Sequence, residues 1–510
     1  MQSLKYKYII SLSLIFGFSS CNKNNLNLNP HDQLSQGIFW KTQQDGQLAL
    51  TGCYHTLAKS FFQMNDFAAW DALTDDGWTL ENDIGAQSAM IAPMTSSTGG
   101  IITGFYSNAY TQIGVCNYFL DNIGTVDVPA SQLTEWKAEV LFLRSFYYFY
   151  LTEFYGDVPL ILHTYKLNDS LLAKSTKATV VSQILNDLNT AIPSLPNTAY
   201  TTGNVVAGTA ILLKAKVELY NNDYQDAAAL TSQIIQSGLF SLYPDYYTLF
   251  LTRGQGADNK EIMFSVRYLS PNDENNSNIQ WGWYLGVSPF QNLVDEYECT
   301  DGLPISQSPL YNPAQPYSNR DPRLNATIIV PGSNYGFGPD GDANWDQRRV
   351  LIQSPLLYNI RKYVDSTIVG VSASQHCDND VVIFRYADVL LTYAEAQNEN
   401  TGPDASVYQA VNAVRARPSV NLPPIASGLS QDQMRDTIRH ERRIELAFEG
   451  QRWLDLKRWN LGVVKIGAIG TDQSPVKYVF LPNNYLWPFP QSEVDYYKAH
   501  GSDLGQNPGY

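Results

Sequence analysis

The stretch SQLTEWKAEVLFLRSFYYFYLTEFYG, residues 131–156, carries apolar side chains at Leu133, Trp136, Val140, Leu143, Tyr147, Tyr150 and Phe154. Steps of three and four throughout describe one buried face of a long helix and do not fit a strand. Ser131 can cap its start; Gly156, with Pro159 beyond, ends it. A face this apolar needs other helices to cover it, and the sequence supplies them. Residues 32–64 read as helix, and TVVSQILNDLNTAI, VVAGTAILLKAKVELYNN and DYQDAAALTSQIIQSG follow within 178–240. The last two form a helix–turn–helix unit in which Ala207, Ala210, Ala215, Ala227 and Ala228 permit close approach, as in tetratricopeptide pairs. Helical pattern returns in RYADVLLTYAEAQNEN from Arg385 and DASVYQAVNAVRAR from Asp404.

Residues 241–380 differ. They are rich in Pro, Gly, Asn and Tyr, with short strand-like runs such as EIMFSVRY and ATIIV. The expected fold is mainly α: a tetratricopeptide-like helix-pair scaffold with a large loop-rich, irregular subdomain carrying short strands. The expected units are an N-terminal helical scaffold at 32–240, a variable subdomain at 241–380 and a C-terminal helical region at 381–510.

The N-terminus reads as a targeting segment. Lys5 and Lys7 precede the apolar run Tyr8 to Phe18, which has signal-peptide length and is too short to span a bilayer. Ser19 and Ser20 stand directly before Cys21, as in a bacterial lipobox. The expectation is a signal peptide at 1–20, lipidation of Cys21 and a polar tether over 21–31, with the membrane reached by the lipid anchor only. Cleavage there removes two lysines and moves the net charge from -15 to -17. That sign repels nucleic acid and anionic lipid and disfavours polyanionic ligands. The remaining cysteines, Cys53, Cys116, Cys299 and Cys377, are far apart and leave both disulfides and free thiols open.

The densest chemistry is RHERRIELAFEGQRWLDLKRW, Arg439 to Trp459. Ser430 with Gln433 makes a capping box, so a helix begins near 430 and places Met434, Ile438, Glu441, Glu445 and Phe448 on one stripe. A zinc-protease helix needs a second histidine four residues after His440, and that position is Ile444. Two glutamates one turn apart point the same way, so they do not straddle a glycosidic bond. The arginines around them hold both ionised, whereas a general acid must carry a proton. The expectation is buried or half-buried ion pairs and no catalytic residue, metal or cofactor. No GxSxG or GxxxxGK[ST] signature is present, and no GxGxxG follows a strand.

Three stretches carry a family likeness: AEVLFLRSFYYFYLTEFYGDVPL (138–160), FRYADVLLTYAEAQN (384–398) and IRHERRIELAFEGQRWLDLKRW (438–459). With the ending LWPFPQSEVDYY…NPGY and the lipobox, the chain resembles the SusD/RagB family of outer-membrane glycan-capture lipoproteins. The resemblance implies a non-enzymatic protein on the exterior of a Gram-negative outer membrane. It implies a lid on a SusC-like TonB-dependent transporter, to which the protein delivers captured oligo- or polysaccharide. The competing readings are a surface polysaccharide hydrolase and a lid that binds peptide.

Sugars need flat aromatic faces flanked by polar groups. Two loop clusters supply both: LTDDGWTLEND, with Trp78 beside Asp75, Asp76, Asn82 and Asp83, and NIQWGWYLG, with Trp281, Trp283 and Tyr284. If residues 278–286 are extended, Trp281 and Trp283 share one face. The candidate glycan-binding residues are Trp78, Asn82, Trp281, Trp283, Tyr284 and Trp345, with a neutral glycan favoured. Trp70, Trp136 and Trp453 read as core.

Overall fold

The computed structural model describes residues 39–79, 82–166, 169–283, 286–333, 357–365, 367, 377–472 and 474–510, without the side chains of 282 and 283. Cys21, Tyr284 and Trp345 lie outside them, as does the side chain of Trp283.

The scaffold is a succession of packed helices: α1 (Gln43–Ala58), α2 (Gly100–Asn122), α3 (Ala130–Tyr155), α4 (Lys177–Ala191), α5 (Ala207–Tyr220) and α6 (Tyr224–Ser237). Each packs against the next in sequence. The first helix is shorter than its apolar pattern, because Thr42 and Asp45 form a capping box that fixes its start. Helix α3 begins at Ala130 with Pro129 at its N-cap and no side-chain cap, so Ser131 lies inside it. Its end at Gly156, with φ 73, is as the sequence indicates.

Three more helices complete the scaffold: α7 (Tyr386–Thr401), α8 (Ala405–Arg415) and α9 (Gln431–Glu445). Helix α7 packs directly on α6, although about 150 residues separate them in sequence, and α8 and α9 pack on α7. The result is the tetratricopeptide-like stack of helix pairs.

The chain between α6 and α7 leaves the stack and returns. Short strands β2 (Ile262–Val266) and β4 (Val381–Arg385) pair antiparallel at its base, and β4 runs straight into α7. Both strands are buried along their whole length. A second ribbon, β1 (Gly77–Trp78) with β3 (Ser288–Pro289), ties this region to the loop before α2. The last helices are α10 (Arg452–Arg458) and α11 (Gln491–Ala499). Among the described residues no helix is long and apolar enough to cross a membrane. All four described cysteines are free thiols, with Cys53 of α1 and Cys116 of α2 in contact.

Candidate functional site

The signature helix α9 starts at its capping box: Gln433 N–H donates to Ser430 Oγ, and Ser430 N–H to Gln433 Oε1. Its stripe faces the core, and Glu441 and Glu445 are fully buried. Arg323 donates to Glu441 at 2.5 Å and to Glu445 at 2.9 Å. Glu445 also accepts from Arg385 and Arg417, each at 2.7 Å, and Glu441 from Arg415 at 3.0 Å. Burial works against the charge on Glu445, but the three guanidiniums outweigh it and hold its carboxyl below the usual carboxylate range. Glu441 is lowered by Arg323 and Arg415 in the same way. These carboxylates are acceptors in a closed network. His440 points elsewhere, with Nε2 at 2.8 Å from the Glu296 carbonyl.

The arginines of the same signature reach the loop before β1. Arg452 forks onto both oxygens of Asp75, at 2.8 and 2.7 Å. Arg443 donates to Asp76 at 2.7 Å and to Glu296 at 2.9 Å. Burial opposes the charge on Asp75, but Arg443 and Arg452 keep it ionised. Asp75 and Asp76 are therefore anchors of the loop, and the sequence reading that set them beside sugar hydroxyls is corrected.

From this anchor the chain enters β1, where Trp78 pairs with Ser288 and Gly77 with Pro289. The ribbon brings together the two loop clusters that lie some 200 residues apart in the sequence. Trp78 is only 2% exposed, packed near Tyr478, whose hydroxyl donates to the Gly77 carbonyl at 2.9 Å. Trp281 is 0% exposed. Neither ring offers a face to solvent, which corrects their assignment as sugar platforms. The reason for Trp281 is local: Asn278–Trp283 is a π-helical turn rather than an extended run. The turn directs Trp281 inward against Gly286, where an added Cβ would stand 2.6 Å from the ring. Trp281 and Trp283 thus do not form the side-by-side face of an extended strand. Trp70, Trp136 and Trp453 are buried in the core.

Beyond the ribbon the two loops are cross-linked. Gln280 Nε2 donates to Asp83 Oδ1 at 3.1 Å, and Gly286 N–H donates back to the Gln280 carbonyl at 3.0 Å. Asn82 is half-buried, with φ 54, and its side chain is engaged with Ser88: Ser88 N–H donates to Oδ1 at 3.0 Å, and Nδ2 donates to Ser88 Oγ at 2.9 Å. Ile84 follows at φ 51, a costly conformation for a β-branched residue. The turn is held because it seats on the start of α2, where a Cβ on Gly100 would meet the Ile84 carbonyl at 2.1 Å. Asp83 was named in the sequence beside Trp78, whereas Gln280 and the Gly99–Gly100 seat were not singled out; the glycine pair before a helix was the one available signal. The strained turn and the Gln280–Asp83 cross-link form the rim of this cluster.

Residues 255–510 match the SusD family, and residues 31–214 match a family described as starch-binding and associating with outer membrane. The chain is 27% identical to SusD-like protein P2 of Formosa agariphila over the whole of both chains. It is 29% identical to SusD-like protein P38 of the same organism, covering 92% of this chain and 93% of that one. A SusD-like carbohydrate binding protein from Bacteroides fragilis superposes with TM-score 0.78 at 25% identity, covering 90% of this chain and 98% of that one.

Proposed function

The chain belongs to the SusD family, and from that premise we propose that it is a non-catalytic glycan-binding lipoprotein of the cell surface. In this reading it captures a neutral oligo- or polysaccharide and delivers it to a SusC-like TonB-dependent transporter in the outer membrane. Lipid on Cys21 anchors it, facing the exterior of a Gram-negative cell. The glycan is held at the rim beyond the β1/β3 ribbon, where Asn82 stands, and Trp283, Tyr284 and Trp345 are the aromatic candidates for it.

The observation that carries the reading is the pairing of Trp78 with Ser288. It makes two distant loops, which carry the amides Asn82 and Gln280, leave one ribbon side by side. The buried arginine clamps on Asp75 and Asp76 fix that ribbon to the scaffold, which limits the ordering cost of binding. The matched starch-binding description and the Bacteroides fragilis relative support a carbohydrate ligand. The excess of acidic residues favours a neutral one.

The test is a glycan array on the soluble form beginning after Asn29, with parallel assays for released sugar. Binding to a neutral glycan without hydrolysis is expected. Hydrolysis of the bound glycan, or binding of peptides in place of glycans, would overturn the reading.

A further inference from the structure

A second aromatic cleft lies away from the ribbon, between α2, residues 159–165 with Leu171, and α11. Its volume is about 430 Å³, within the range of small-ligand sites. Tyr106 and Tyr110 line it from α2, Tyr165 from the connecting segment, and Tyr496 and Tyr497 from α11. Three of the five hydroxyls donate to backbone carbonyls: Tyr110 to Pro159 at 2.6 Å, Tyr497 to Leu172 at 3.0 Å, and Tyr165 to Ser170. These bonds fix Tyr110, Tyr165 and Tyr497, and Tyr496 is held by packing against His500, with ring centroids 4.2 Å apart. Tyr165 and Tyr496 stand at the mouth, 40% and 49% exposed.

The polar groups in this cleft are mixed and largely unused. Glu493 is half-buried, and its carboxyl accepts no hydrogen bond from any described residue; burial alone raises it above the usual range. The exposed Ser107 hydroxyl is also unengaged. His163 binds Asp121 through Nδ1 and keeps Nε2 for the rim. One acceptor, one hydroxyl and one imidazole nitrogen around fixed aromatic rings match a polyhydroxylated ring better than a simple cation, which needs aromatic faces and negative charge alone. The carboxyl disfavours uronate or sulfate beside it.

We infer that this tyrosine cleft is a second saccharide site, taking a neutral sugar unit on Tyr165 and Tyr496 with Glu493 accepting its hydroxyls. The inference rests on the glycan-binding reading for its ligand class and on a separate set of residues for its place. The strained turn seats on Gly100 and the cleft is lined from Tyr106 onward, so the two sites are about 9 Å apart along α2, at 1.5 Å per residue. One polysaccharide chain can reach both, and each contact raises the effective concentration of the other.

Hydrogen exchange of the full soluble form, with and without maltoheptaose, laminarihexaose, cellohexaose and mannohexaose, separates the two sites. The expected result is protection of residues 104–114 and 491–499 by at least one of these, lost in Tyr165→Ala/Tyr496→Ala and weakened about tenfold in Glu493→Gln. Protection confined to residues 78–88 and 278–290 would overturn the second site and leave the ribbon reading intact. Protection of the cleft alone would sustain the second site and remove the ribbon. Protection of the cleft by tetramethylammonium but by no saccharide, or no protection of either region by any probe, would overturn the inference.

Discussion

Arg385 donates Nη1 to Glu445 Oε1 at 2.7 Å, from the last residue of β4 to the last residue of α9, with both side chains out of water. The same guanidinium reaches Glu261 and Glu449, and Arg417 and Arg323 close on Glu445 from other sides. The contact joins the strand that ends the irregular region to the helix of the family signature. A carboxylate held by three arginines is a structural acceptor, and each consequence below follows from where such anchors sit.

Replacing Glu445 by glutamine leaves three buried guanidiniums facing a neutral amide. Breaking a buried pair in this way costs about 3–5 kcal/mol. Urea unfolding followed by tryptophan fluorescence should show a loss of that size. A loss below about 1 kcal/mol would mean that the network is not an anchor.

Arg452→Met should act at a distance. It leaves the buried Asp75 with Arg443 alone, at 3.3 Å, and loosens the loop that feeds β1. Amide exchange across residues 74–79 should speed up by at least tenfold, and glycan affinity should fall several-fold although Arg452 touches no ligand. Unchanged exchange would show that Arg443 alone suffices.

Trp78 divides the two accounts of the ribbon. As a core residue its truncation to alanine costs about 3–5 kcal/mol, while Trp78→Phe keeps most of the packing. The phenylalanine variant should bind glycan within twofold of the parent protein in calorimetry. Loss of binding in a well-folded Trp78→Phe protein would return Trp78 to the ligand.

Glu139 gives a pH signature. Burial pushes its carboxyl up to about 7, against the donors Tyr54 and Asn204, with no cation beside it among the described residues. A raised carboxyl stabilises the fold below its unfolded value of 4.5, and that contribution is lost as pH rises through about 7. Asp380, raised to about 6 by burial, acts in the same direction. Comparing Glu139→Gln with the parent cancels Asp380. The parent should lose about 1–3 kcal/mol relative to the variant between pH 5 and pH 8. A pH-independent difference would contradict the assignment.

Periodicity made the scaffold legible. The steps from Leu133 to Phe154 and the alanines of α5 and α6 specify helices and their close packing. The fate of Glu441 and Glu445 was also readable, because a helical stripe and neighbouring arginines are local facts. The site was less legible, since it depends on pairings between residues far apart in sequence. Nothing near Trp78 announces Ser288, and nothing in NIQWGWYLG distinguishes a π-turn from a strand. Tryptophan in a loop reads as a sugar platform until the ribbon buries it. Asp75 and Asp76 misled for the same reason: their arginine partners stand some 370 residues away.

The central claim is that glycan is held at the rim beyond the ribbon. Isothermal titration of Trp283→Ala with the best ligand from the array, beside the parent protein, tests it most directly. The account predicts at least a tenfold loss of affinity with urea stability unchanged. Binding equal to that of the parent protein would contradict it.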